Sequence, residues 1–394
     1  MKNKYFFQLL LAAVLVVLLV GLVSADDGAM FRRNVSRTPD HETEDAAISM
    51  MKFYVPAQHS DGTIEPIEYI DPLGGVYDTR EYAKPLFISY IDGIEVPESA
   101  PPNSVLTGIG FGFRDTFAAH SLDDGMTWKD YNLSRSADLS SFNLADGTAY
   151  PGDVYAAVHT SSGNKVMAAW VSRYCDGGKP AYTWVDEVTG EDVFPDYYGV
   201  AGNQGSVDYT LQGYPEVGEI PYGCVWTARG ELIEMEDENG VLVYDVLWRQ
   251  AERLTSGRRD ANKIEIAAAS DAGFIITWQE DPEGLRPGQG LGPGVGWRGA
   301  LVNAQTDVWY SFIGWEDFRL VQDEEGNPIP PEDYLGEEKP WPGVPMAIPV
   351  RLTDNAMCKY DDVTFTYEDD IPEDLPDDPY CYLDREPNGV SDLC

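Results

Sequence analysis

Ser121-Leu122-Asp123-Asp124-Gly125-Met126-Thr127-Trp128 decides how this chain is read. Each defining residue type has a task in a tight connection between two strands. The Asp123 carboxylate can accept backbone N–H groups across the turn, and Gly125 tolerates a backbone conformation with φ > 0 that strains other residues. Trp128 can pack beneath the turn as an apolar anchor. Neither these three nor Ser121 and Thr127 need face a ligand to do so. The stretch therefore reports architecture rather than chemistry.

Working outward, short strand-like runs alternate with turn clusters from residue 51 to about Gly343, and no amphipathic helix of useful length interrupts them. The best runs are Thr107–Phe113, Thr116–Ser121, Val154–Thr160, Lys165–Ser172, Val241–Trp248, Ile264–Ala269, Gly273–Trp278 and Asp307–Ile313. Aromatic residues make up 12% of the chain, with 38 Gly and 27 Pro, a mix that favours strands and turns. The pattern also repeats. Ala156-Ala157 followed by Val166–Trp170 parallels Ala267-Ala268 followed by Phe274–Trp278, with the first hairpin loop expected to be the longer. Glu252-Arg253-Leu254-Thr255 parallels Val350-Arg351-Leu352-Thr353, each expected to open a repeat. The expected fold class is all-β.

With every defining position filled, Ser121–Trp128 resembles the Asp box of the sialidase-like β-propellers, and Ser121, Asp123, Gly125, Thr127 and Trp128 are its structural residues. That resemblance implies a propeller of four-stranded blades, of which about four are recognisable. Long insertions at Asp176–Tyr222 and Asp281–Gln305 leave the ring incomplete or irregular. A second likeness rests on Ala169–Gly178, Pro215–Tyr222, Trp278–Leu285 with its Gly-rich loop, and Thr306–Ser311. These resemble the choice-of-anchor type O exported surface proteins of bacteria. The resemblance implies a secreted protein without an established enzymatic activity, retained by a C-terminal sorting module that is not visible here.

Lys2 and Lys4, the apolar run Leu9–Val20 and the small residues Val23-Ser24-Ala25 read as a signal peptide over 1–25, leaving no membrane span after its cleavage. Residues 26–50 read as a flexible lead-in, 51–354 as the propeller and 355–394 as an acidic, Cys-containing tail. The net charge of −40 repels nucleic acid and anionic membranes and suits an extracellular, cell-surface or periplasmic location. In an oxidising compartment Cys175 and Cys224 are expected to pair, with one bridge among Cys358, Cys381 and Cys394. The odd thiol points to a longer natural polypeptide.

In the tail, Asp384, Glu386, Asn388 and Asp392 surround Gly389 in the manner of a short calcium loop, which makes calcium the one cofactor expected. Glu280, Asp281 and Glu283 open a Gly/Pro-rich loop and form the candidate binding site. A sialidase-like site needs an arginine cluster, for which Arg114, Arg253, Arg298 and Arg351 are available, but the motif that opens that family is missing. His41, His59, His120 and His159 share no metal-ligand spacing. The reading is therefore a secreted, non-catalytic binding or scaffold module for an extracellular protein or glycan. The alternative is a sialidase-like glycoside hydrolase.

Overall fold

The structure is a computed structural model. It describes residues 41–94, 113–136, 139–176, 219–281 and 307–321 apart from a few single positions, with shorter pieces at 35–38, 184–185, 192–193, 203–208, 327, 346–347 and 349–353. Three antiparallel meanders follow one another along it. The first is β1 (Glu42–Met50), β2 (Leu86–Ile94), β3 (Phe113–Ser121) and β4 (Lys129–Asn132). The second is β5 (Val154–Ser162), β6 (Lys165–Ser172), β7 (Cys224–Glu236) and β8 (Leu242–Trp248), with β9 (Glu252–Arg253) paired to the start of β7. The third is β10 (Asp260–Ala269), β11 (Gly273–Asp281), β12 (Asp307–Gly314) and β13 (Val350–Arg351). The fold is all-β, and no helix among the described residues is long and apolar enough to cross a membrane.

The three sheets repeat one another in atomic detail. An aromatic pair crosses from the second strand to the third in each: Tyr90 opposite Phe117, Trp170 opposite Trp226, and Trp278 opposite Trp309. The third-strand aromatic is in turn opposite Asn132, Arg253 or Arg351. A Leu follows each of those, and the N–H groups of Leu133, Leu254 and Leu352 donate to the carbonyls of Thr116, Val225 and Val308. Next comes a hydroxyl. Ser134, Thr255 and Thr353 each accept the backbone N–H of the residue before the aromatic, at 2.9 Å in all three sheets. Such a hydroxyl satisfies an edge N–H where the fourth strand runs out.

The Arg-Leu-Thr echo is thus real but stands elsewhere than expected. It closes a sheet along the outer edge of the third strand rather than opening one. The hairpin expectation is reversed as well. Gly163-Asn164 makes a two-residue turn between Ser162 and Lys165, whereas residues 270–272 separate Ala269 from Gly273. The spacing to the tryptophan differs because Ala156-Ala157 lie opposite Val171 and Trp170, whereas Ala267-Ala268 lie opposite Ile275 and Phe274, nearer the turn. The lead-in expected over 26–50 also yields to structure, because Glu42–Met50 pairs along β2 as an edge strand.

The first strands β1, β5 and β10 lie side by side, β5 in the middle. Flanks of neighbouring sheets make the core. Ile91 and Ala118 of the first sheet pack with Ala157, Ala168, Trp170 and Trp226 of the second. Met167, Ala169, Val171 and Val225, on the opposite flank of the second sheet, pack with Phe274, Ile276, Trp278 and Trp309 of the third. Trp170, Trp278 and Trp309 are almost wholly buried, so truncating any of them to Ala is expected to cost ~3–5 kcal/mol.

Candidate functional site

Antiparallel pairing places the start of each first strand, the end of the second and the start of the third at one end of a sheet. Cross-sheet bonds show that these ends coincide. Arg114, at the start of β3, makes two 2.9 Å bonds to the Asp153 carboxylate just before β5. Gly223, just before β7, donates to Asp260 at 2.7 Å and accepts from the Ala261 N–H, both at the start of β10. The connections 95–112, 173–223 and 282–306 all begin and return at this common end. The opposite end carries the turns 163–164, 237–241 and 270–272 and the Asp box.

At the loop-bearing end of the third sheet, Glu280 and Asp307 stand directly opposite each other. Both are almost completely buried. Burial pushes the Glu280 carboxyl up to about 8, against a 2.9 Å hydrogen bond from Trp278 Nε1 and the nearby Arg259 charge. Glu280 Oε2 lies 3.8 Å from Arg259 Nε and accepts no hydrogen bond among the described residues. Asp307 is bound by Arg259 at 3.2 Å and by the Thr353 hydroxyl at 3.0 Å, with Arg351 at 3.6 Å. One carboxyl raised by burial thus stands beside another held by two arginines.

The same repeat position in the first sheet carries a second opposed pair, Asp92 and Asp115. There every oxygen is occupied. Thr38, Thr43 and His41 reach Asp92, while Asn132, Ser134 and Ser136 donate to Asp115. In the second sheet the position is Ser172 opposite Cys224. The expected Cys175–Cys224 disulfide forms there, with Cα atoms 5.9 Å apart. The pairing of Cys358, Cys381 and Cys394 lies outside the described residues.

Glu280 therefore belongs to a buried strand end rather than to an exposed loop, Asp281 closes β11, and Glu283 lies outside the described residues. Of the candidate arginines, Arg114 bridges the first two sheets, Arg351 faces Asp307, and Arg253 donates to the Cys175 carbonyl. Arg298 lies outside the described residues, as do the proposed calcium ligands Asp384, Glu386, Asn388 and Asp392. Among the described residues no group of three or more His, Cys, Asp and Glu side chains is arranged to hold a metal ion. Sequence reading missed Asp307 and Arg259. Their signal was positional, since each borders a strand whose partner holds Glu280.

At the opposite end the Asp box does the work expected of it. Asp123 accepts the Thr127 N–H at 2.9 Å and the hydroxyls of Ser121 and Thr127 at 2.7 and 2.6 Å. Gly125 has φ 85°, and Trp128 Nε1 donates to its carbonyl. An addition not legible beforehand is His59, whose Nδ1 meets Asp123 at 2.7 Å and whose Nε2 meets Glu65 at 2.9 Å. Burial works against charging this imidazole, but the two carboxylates prevail and raise its pKa. Beside it, a cavity of about 420 Å³ lies between the first and second sheets, lined by Gln58, His59, His120, Thr127, Lys129 and Asp245 among others. Burial holds His120 neutral there, down to about 4.

No protein-family model matches this chain, and no curated protein matches it. Among solved structures it is similar to Trypanosoma rangeli sialidase in complex with the inhibitor DANA, at 13% identity and a TM-score of 0.27. It is also similar to the same enzyme in complex with 2,3-difluorosialic acid as a covalent intermediate, at 14% identity and a TM-score of 0.27. Each match covers 71% of this chain and 34% of the other, so the chain spans about a third of the solved structures it matches.

Proposed function

We propose that this protein is an exported, non-catalytic recognition module built on a propeller-type frame, with its binding surface at the loop-bearing end. The observation that carries this reading is the alignment of the three connections 95–112, 173–223 and 282–306 at one end of three contiguous sheets. Sequence carried on connections between rigid strands is where recognition concentrates. Arg114, Arg253 and Arg351 are engaged by carboxylates or carbonyls of the frame, which favours a structural use of their charge over clamping an acidic sugar. The ligand class is an extracellular protein or glycan, and calcium bound through Asp384, Glu386, Asn388 and Asp392 would stabilise the tail. A glycan array probed with and without calcium tests this, alongside capture of extracellular proteins from the producing cell's surroundings. Binding that disappears when 282–306 is replaced by a short Gly/Ser linker supports the reading. Binding indifferent to all three connections overturns it.

One observation favours a glycoside hydrolase as a second reading. Glu280, whose carboxyl burial pushes up to about 8, faces an arginine-bound Asp307, and a carboxyl so raised beside a second carboxyl is an ingredient of acid/base chemistry. Turnover of a fluorogenic sialoside that Glu280→Gln abolishes would establish it. Absence of turnover in the folded protein rejects that activity.

A further inference from the structure

The repeat gives each sheet two different flanks. One bears the aromatic pair and faces the preceding sheet: Trp170 and Trp226 bed against the first sheet, and Trp278 and Trp309 against the second. The other faces the following sheet and is built from smaller residues, as Met167, Ala169 and Val171 are in the second sheet. Each internal interface joins one flank of each kind.

Among the described residues two flanks have no neighbouring sheet. On the first sheet the aromatic-pair flank carries Tyr90 and Phe117, stacked at 5.5 Å, together with Leu86 and Ile88. Tyr90 is buried, with Val35 packed in its cluster, but Ile48 and Met50, opposite Ile88 and Leu86, are 68% and 54% exposed. On the third sheet the opposite flank carries Ile275 and Phe312, directly paired and 39% and 50% exposed, with Tyr310 and the exposed Val350 beside them. Beside these apolar side chains each flank also carries an exposed acidic residue, Asp130 opposite Ala119 on the first sheet and Glu265 opposite Thr277 on the third. Apolar surface so placed is costly in water at ~25 cal/mol per Å².

We propose that a second copy of this chain covers both flanks, the first sheet of each copy bedding on the third sheet of the other. The occupant follows from the repeat. The two flanks, the first exposed along Ile48 and Met50 and the second along Ile275 and Phe312, are of the two kinds that meet in the interface the described sheets already make twice. Two such contacts related by a two-fold axis would join the three described sheets of each copy into a ring of six, within the range that propellers use.

Sedimentation velocity over a wide concentration range, on protein purified from the full-length sequence, is expected to show a dimer. Ile48→Asp/Met50→Asp, or separately Ile275→Asp/Phe312→Asp, should weaken association at least ~100-fold. Circular dichroism confirms the fold of each variant, the altered side chains being exposed. The deciding step is to mix the two variants. Each lacks a different half, so the mixture retains one intact contact and should regain association that neither variant shows alone. A monomer at every concentration, a dimer indifferent to the substitutions, an open ladder of higher masses, or no recovery on mixing overturns the proposal.

Discussion

Nδ1 of His59 lies 2.7 Å from Oδ2 of Asp123, so the carboxylate that locks the turn of the first sheet also fastens a segment 64 positions upstream. The Asp box is a junction as well as a lock. Asp123 is fully buried and serves the hydroxyls of Ser121 and Thr127, the Thr127 N–H and His59 at once. Asp123→Asn keeps the shape but weakens this set, and a loss of ~2–4 kcal/mol is expected in urea unfolding.

The His59 clasp has a pH signature of definite sign. Its folded pKa is raised, so its stabilisation is complete below the ordinary imidazole value and lost as pH rises through the folded one. The melting temperatures of the parent and of His59→Asn should differ most in mild acid and converge in alkali. A constant gap across pH 5–9 contradicts this.

His159 predicts the opposite trend. It joins the first two sheets, meeting the Ser49 hydroxyl at 2.9 Å and the Ser89 hydroxyl at 2.8 Å. Burial lowers its pKa to about 4. The unfolded chain binds the proton first, so stability falls as pH drops from ~6.5 towards 4, by about 3 kcal/mol in full. His120, also lowered to about 4, adds to the same window. His159→Gln should be less stable at pH 7 yet show a visibly shallower acid limb in denaturant titrations.

Arg114 and Asp153 tie the first sheet to the second through a buried bidentate pair. Asp153→Ala strands the guanidinium and should cost ~3–5 kcal/mol, whereas Arg114→Met/Asp153→Leu together should cost clearly less. A double-mutant cycle by chemical unfolding measures the difference. Additive losses would show that the two charges do not depend on each other.

Glu280 offers a test that needs no knowledge of ligand. Its carboxyl, raised to about 8, favours folding below the ordinary glutamate value and loses that contribution as pH climbs from there through about 8. Glu280→Gln mimics the protonated form. It should be nearly neutral near pH 4 and increasingly stabilising from there up to about pH 8, levelling off above, read as a flatter stability profile.

How much of this was legible depended on where the signal sits. Ser121–Trp128 declared its turn because each side chain has one local task, and that reading survives in every bond. Trp170 and Trp278 marked equivalent strands because large aromatics fill the space between sheets. The first sheet hid its membership. Tyr90 and Phe117 replace the tryptophans, and Asn132-Leu133-Ser134 replaces Arg-Leu-Thr, so only hydrogen-bond geometry reveals the kinship. Glu42–Met50 was misread because an edge strand with one flank in water tolerates Glu44, Asp45 and Ala47. Around Glu280 the missing partners Asp307 and Arg259 are distant in sequence, and cross-strand register alone brings them together.

The separation between the Asp-box end and the loop-bearing end has a consequence for how this protein can change. Closure entropy grows slowly, each doubling of a flexible connection costing only ~0.6 kcal/mol. Insertions into 95–112 or 282–306 begin and end far from the turn lock, whose bonds they leave intact. Sequence at one end is thus free to diversify while the other end keeps the frame, and variation among natural homologues should pile up on one side of the molecule.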